Sequence, residues 1–158
     1  MAEVMGGGPR FIADTMLGRL ARWLRFLGYD TAYPEVMDDA LLLENAVDQG
    51  RVLLTRDKLL AERARARETP VVYVLSDDVR AQLAQVYGEM RLSTEATLSR
   101  CSICNIPLER AQKDDVRGQV PDRAFELHAE FWRCPGCGRY YWEGTHVNGI
   151  RKEIDGLR

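Results

Sequence analysis

The sequence predicts an α/β fold, a parallel sheet covered by helices on both faces, followed by a small unit held by four cysteines. Three observations predict it. Apolar runs of strand length alternate four times with segments of helical period, the connections between them are short, and all four cysteines lie beyond residue 100. Strand–helix alternation of this kind builds parallel sheets, whose strands are buried on both faces and so lack polar alternation.

Each element follows from local pattern. Phe11-Ile12-Ala13 is a short apolar strand ending at Asp14. A helix then places Leu17, Leu20, Ala21, Leu24 and Leu27 on one face and stops at Gly28. Thr31-Ala32-Tyr33 is a second strand, closed by Pro34, and a helix runs from Asp39 to Gly50. Val52-Leu53-Leu54-Thr55 is the third strand, with a helix from Asp57 to Arg67. Pro70 introduces the fourth strand, Val71-Val72-Tyr73-Val74-Leu75, and Asp77 or Asp78 opens the last helix of this half. The stretch from Arg91 to Arg100 reads as a linker, which places a first domain at 9–92 and a second at 98–158. In the second half, Arg139-Tyr140-Tyr141-Trp142 alternates as a strand, and Gly118 to Arg123 reads as a loop.

Composition narrows the class. Of the 158 residues, 46% are hydrophobic and 29% charged, the balance of an ordinary globular chain. A formal net charge of -2 excludes a generic polybasic coat for nucleic acid, so any such contact must come from local arginine clusters. No apolar run approaches the roughly 18 residues that span a bilayer. The glycine-rich start lacks a basic and an apolar region and reads as a tail, not a signal peptide. A cytoplasmic location is the expectation.

The four aspartates at the strand–helix junctions carry the chemistry. Asp14, Asp57 and Asp77 follow the first, third and fourth strands, and Asp39 begins the helix after the second. Ligands of an open parallel sheet bind outside the carboxyl ends of its strands, so these positions can converge on one rim. Converging carboxylates repel, and a hard divalent cation such as Mg²⁺ or Mn²⁺ relieves the repulsion while keeping positions open for phosphate. The competing reading is that each aspartate merely caps its helix. Ser, Thr and Asn cap as well, yet an aspartate stands at each of the four junctions.

Cys101-Ser102-Ile103-Cys104 and Cys134-Pro135-Gly136-Cys137 are separated by 29 residues. Paired Cys-x-x-Cys units at this spacing give a closed tetrahedral zinc shell, structural because four thiolates leave no open position. Disulfide and redox roles are the alternatives.

The run Phe11-Ile12-Ala13-Asp14-Thr15-Met16-Leu17-Gly18-Arg19-Leu20-Ala21-Arg22-Trp23-Leu24-Arg25, with Gly28-Tyr29-Asp30 after it, resembles the opening of a PIN-like RNase family. The family is named for the C-terminal domain of the nematode mut-seven exonuclease. Leu54-Thr55-Arg56-Asp57 is similar to its second signature, and so is the later cysteine pair followed by Tyr141-Trp142-Glu143-Gly144-Thr145-His146. Thr145 stands where serine is expected. The resemblance spans about residues 10 to 155 and implies a PIN-like domain fused to a zinc ribbon, acting on RNA with a divalent metal. Matched by position, it assigns Asp14, Asp39 and Asp57 to the catalytic metal. Asp38 stands beside Asp39, and Asp77 and Asp78 both compete for a fourth acidic place.

Arg19, Arg22 and Arg25 recur every three residues opposite the leucine face, with Trp23 and Phe26 among them. They read as a phosphate-binding stripe with a base-stacking platform. The alternative is that the ribbon covers the aromatics while the arginines pair with acids. Arg56, beside Asp57, is a further phosphate ligand or a surface ion pair, and His146 is either a phosphate contact or a structural histidine. The expectation is thus a Mg- or Mn-dependent endoribonuclease whose substrate is RNA, transfer or ribosomal RNA among the candidates. A catalytically silent RNA-binding or ribosome-associated module is the runner-up. A nucleotide-binding phosphatase ranks lower, because no glycine-rich phosphate loop follows a strand.

Overall fold

The computed structural model describes residues 8–156; the glycine-rich start and the last two residues lie outside them, as does the side chain of His146. The first half alternates strand and helix as the pattern predicts. The strands are β1 (Phe11–Ala13), β2 (Thr31–Ala32), β3 (Val52–Thr55) and β4 (Val71–Tyr73). The helices are α1 (Gly18–Phe26), entered through a 3-10 turn at Thr15–Leu17, α2 (Asp39–Gln49), α3 (Lys58–Ala66) and α4 (Val79–Glu89). All four strands pair in parallel in the order β2-β1-β3-β4. This brings the ends of β1 and β3 side by side at the centre.

The two faces of the sheet carry separate cores. On one, Leu20 and Leu24 of α1, with Leu27 just after it, share a core with Phe11, Leu54 and Val72 of the strands and Leu83 and Val86 of α4. On the other, Leu42, Leu43 and Ala46 of α2 and Leu60 and Ala64 of α3 cover Ile12 and Leu53. Consecutive residues of one strand thus point to opposite cores, which is why β3 has no polar alternation. α2 ends at Gly50 with φ 62°, a left-handed cap that a side chain would strain. Among the described residues no helix is long and apolar enough to cross a membrane.

The stretch 91–100 is packed, unlike the free linker expected from its composition. Leu92 and Leu98 are buried, and the Leu98 amide donates to the Phe26 carbonyl at 3.0 Å. Gly28, with φ 98°, is required at this crossing, because a Cβ there would lie 2.4 Å from the Ala96 carbonyl oxygen. Apolar residues in a polar stretch found a surface to cover at the end of α1.

The second half is an antiparallel sheet, β5 (Glu109–Ala111), β6 (Phe131–Arg133) and β7 (Tyr140–Tyr141), in that order. It also carries α5 (Lys113–Val116), α6 (Asp122–Leu127) and α7 (Thr145–Asp155). The expected loop therefore stops at Pro121, where α6 begins; proline suits a helix entry. α7 returns to the first half and buries Ile154 in the core shared by α1 and α4.

Polar contacts fasten the two halves. Asn105, left-handed at φ 59°, accepts from the Thr31 amide at 3.0 Å and donates to Asp30 at 2.8 Å. It thereby occupies a donor of the edge strand β2 that would otherwise be open to pairing. Arg51 grips Asp30 with two hydrogen bonds, 2.8 and 3.3 Å. Burial alone would raise the Asp30 carboxyl, but Arg51 and Asn105 together hold it below the usual carboxylate range.

Candidate active site and metal centre

Three of the four junction aspartates gather at the carboxyl rim. Asp14, 8% exposed, leaves β1 with its amide bonded to the Leu54 carbonyl at 3.0 Å. It begins the 3-10 turn without capping it by its side chain. Its carboxylate instead accepts from the Thr55 hydroxyl at 2.9 Å and the Thr15 hydroxyl at 3.2 Å. The same Thr55 oxygen accepts from the Asp57 amide at 3.0 Å. One buried hydroxyl therefore touches both the Asp14 carboxylate and the Asp57 backbone. Asp57 also caps α3, one oxygen accepting from the Leu60 amide at 3.0 Å.

Asp39 completes the group. Asp38 takes the cap of α2, accepting from the Leu41 amide at 2.8 Å. That division leaves Asp39 free of the capping role. Its pKa is raised, first by partial burial and then by the charges of Asp57 and Asp14, with Arg63 opposing. The charges of Asp14 and Asp57 therefore reach Asp39, and a cation among the three would reduce that repulsion. Among the described residues, the ligand atoms that come within 4.8 Å of one another as a metal-holding group are those of the four cysteines; the three acids do not approach so closely.

At the fourth junction Asp78 is the cap, accepting from the Ala81 amide at 3.0 Å. Asp77 stands exposed just before it, and no hydrogen bond among the described residues ties it to the other three.

The arginines divide. Arg19 and Arg22 are exposed on α1, as the stripe predicts. Arg25 departs from that stripe and turns inward. It donates to the carbonyls of Thr31 at 2.8 Å, Ser102 at 3.2 Å and Ile103 at 3.1 Å, binding α1 to the edge strand and the first cysteine knuckle. Its burial lowers the guanidinium pKa, which the nearby Cys101 and Asp30 partly offset. The helical period correctly set the three arginines on one face, but the docked ribbon claims the last of them. Trp23 is half-buried, edge-on to Phe26 at 5.7 Å, and packs on the core between α1 and α4. Arg56 stands between Thr55 and Asp57 with its Nε sealed from solvent and without a hydrogen-bond partner.

The four cysteines form the second centre. The sulfurs of Cys101 and Cys137 are 3.9 Å apart, close to the edge of about 3.8 Å that Zn–S bonds of about 2.3 Å give a tetrahedron. The amides of Cys104 and Cys137 donate to the sulfurs of Cys101 and Cys134 at 3.3 and 3.5 Å. Gly138, at φ 77°, turns the chain after the second pair. The Tyr141 hydroxyl lies 3.2 Å from the Cys101 sulfur. Burial would raise the Cys101 thiol, yet Tyr141 and the backbone amides bring it down to about 7. Cys104 is pushed up to about 12, first by its bond with Cys137, then by burial and the other cysteines. Such a donor set can hold a metal such as zinc.

Sequence reasoning missed Thr55, Tyr141 and Asn105 as site residues. Thr55 was visible only as part of the Leu54-Thr55-Arg56-Asp57 signature, since a threonine ending a strand is otherwise unremarked.

Comparison with known families decides the class. Residues 9–154 match the Mut7-C RNAse domain, nearly the whole chain. The chain belongs to that family. No curated protein and no solved structure matches it. Membership in the Mut7-C RNAse domain family makes this a ribonuclease-type protein, with RNA as its substrate class. Both halves of the fold lie within the matched span, so the cysteine unit is part of the Mut7-C unit.

Proposed function

We propose that the chain is a metal-dependent endoribonuclease of the PIN-like kind, acting in the cytoplasm and cutting at the rim where Asp14, Asp39 and Asp57 meet. The observation that carries the reading is the junction of Asp14 and Asp57 through the buried Thr55 hydroxyl, with the charges of both reaching Asp39. When bound there, Mg²⁺ or Mn²⁺ supplies a Lewis acid and a water of lowered pKa beside the phosphodiester. Asp14, Asp39 and Asp57 would hold it. Thr55 fixes the Asp14 carboxylate against the Asp57 backbone, so that the donor set is oriented before the cation arrives. Arg56, half-buried next to Asp57 in the chain, is a further cation near the same rim for a phosphate. Arg19 and Arg22 give a local positive field that the net charge of -2 conceals. Zinc at the four cysteines is structural and keeps the second half folded and docked.

The test is cleavage of a circular RNA with Mn²⁺, with and without EDTA, using Asp14→Asn as the control. A circle has no ends, so cutting it demonstrates endonucleolytic action. Asp14 makes no side-chain cap and asparagine keeps one acceptor oxygen for the threonine hydroxyls, so the variant should fold, with a lower Tm, while losing cleavage. A folded Asp14→Asn protein that cuts as fast as the wild type would defeat the proposal.

A further inference from the structure

α7 does more than close the chain. It crosses back over the first half, where α1 and α4 lie side by side, and buries Ile154 beneath them. The three helices frame a groove of about 380 Å³, with Arg19, Trp23, Arg80, Leu83, Ile150 and Glu153 in its walls. That size is on the scale of sites for small ligands, roughly 300–1,000 Å³, and too small for a duplex.

The groove's position is set by topology. α1 follows the carboxyl end of β1, and α4 that of β4, so the first turns of both helices lie toward the rim that holds Asp14. Arg19 comes five residues after Asp14, a rise of roughly 10 Å through the 3-10 turn and the start of α1. The first turn of α1 has neither a side-chain cap nor an acidic residue, so its amides keep their positive potential. Arg80 meets Glu153 at 3.6 Å, but both side chains are largely exposed, 75% and 51%. So loose a pair leaves the guanidinium able to turn to a phosphate. Cations at the mouth, an indole and aliphatic walls within, and an acidic catalytic rim next door describe the surroundings of one unstacked base and its phosphate.

We infer that this groove is a subsite for one unpaired nucleotide of the RNA strand, flanking the phosphodiester held at the rim. Arg19 takes its phosphate, and the base lies against Trp23 and Ile150. The inference rests on the nuclease reading for its substrate, and it adds that α7, outside the α/β half, helps choose single strands over duplex.

The experiment measures binding, so that it does not depend on turnover. Single-stranded oligoribonucleotides of increasing length are titrated by fluorescence anisotropy into Asp14→Asn protein, with and without Ile150→Trp, which fills the groove, or Arg19→Gln. In the parent, affinity should rise five- to tenfold at the length that first reaches the groove, a gain of the size one stacked base provides. Ile150→Trp should abolish that step, and Arg19→Gln should weaken binding and reduce the salt slope by about one phosphate. Arg19 is exposed, so its variant remains informative if Ile150→Trp fails to fold. A step that survives in Arg19→Gln and Ile150→Trp overturns the inference, as does a uniform loss at every length. A wild-type dimer that Ile150→Trp converts to monomer also overturns it, assigning the groove to a second copy. If circular RNA is cut but no step appears, the groove reading alone fails. If the step appears without cutting by the wild type, the endonuclease reading alone fails.

Discussion

Replacing Thr55 by valine tests the joint on which the rim depends. The side chain is fully buried, and valine matches its shape, so no cavity opens and the change removes only the hydroxyl. Two bonds go with it, one to the Asp14 carboxylate at 2.9 Å and one from the Asp57 amide at 3.0 Å. Hydrogen bonds to charged groups contribute about 1.5–3 kcal/mol each, and an amide left without a partner costs about 1–3 kcal/mol. Asp14 keeps its bond from Thr15, and water at the rim recovers part of the loss. The expected destabilisation is therefore about 2–4 kcal/mol, or about 5–15 °C in Tm for a chain of this size. The assay is a thermal melt in EDTA and again across a Mn²⁺ titration. Thr55→Val should melt lower and gain less from Mn²⁺, because Asp14 is no longer held in place. Thr55→Ser keeps the hydroxyl, loses one methyl at about 1 kcal/mol, and should retain the Mn²⁺ response. A Thr55→Val protein that melts and responds to Mn²⁺ like the wild type would refute the shared-hydroxyl argument, as would Thr55→Ser proving equally damaging.

Asp39→Asn should raise the Tm in EDTA by about 2 °C or less, since Asp39 is exposed and screened, while removing the gain from Mn²⁺. Because its folded pKa is raised, ionised Asp39 opposes folding as pH rises through that pKa; this penalty in metal-free wild type should be absent from melts of Asp39→Asn between pH 4 and 7 (range about the ordinary Asp value upward). Asp30 has the opposite sign: its depressed pKa stabilises the fold above the ordinary value of about 3.9 and is lost as pH falls through the folded one, so Asp30→Asn should flatten acid denaturation below about pH 4. Arg25→Gln should lower the Tm and speed proteolysis within 91–105, yet leave RNA affinity less affected than Arg19→Gln or Arg22→Gln; the reverse pattern would return Arg25 to the binding stripe. Cys134→Ser should lose bound zinc by metal analysis and loosen α7, seen as faster amide exchange at Ile154, whereas full zinc content would contradict the four-thiolate site.

Much of the architecture was legible because it is local. Strand runs, the leucine period of α1, the glycine caps at 28 and 50 and the paired Cys-x-x-Cys units each depend on residues close in sequence. The acids were legible as a set, and the ambiguity between cap and ligand was resolved differently at each junction. Asp14 does not cap, Asp57 caps, Asp38 caps beside Asp39, and Asp78 caps beside Asp77. Adjacent aspartates are equivalent to a propensity argument; which one meets the helix amides depends on the φ and ψ of the entering chain. The packing of Leu98 on α1 and the inward turn of Arg25 were not legible, because the surfaces they meet come from residues some 70 positions apart.

Periodicity and spacing alone established the α/β class, the strand order of events along the chain and the four-thiolate centre, since hydrophobic period and ligand spacing are properties of short segments. The tertiary structure decided which hydroxyl joins Asp14 to Asp57, which arginines of α1 stay exposed, and that α7 returns to wall a groove with α1 and α4. Those outcomes depend on segments 40 to 130 residues apart, such as Thr55 bonded to Asp14 and Ile154 in one core with Leu24, and no local pattern encodes the distance between segments that only the packed sheet brings together.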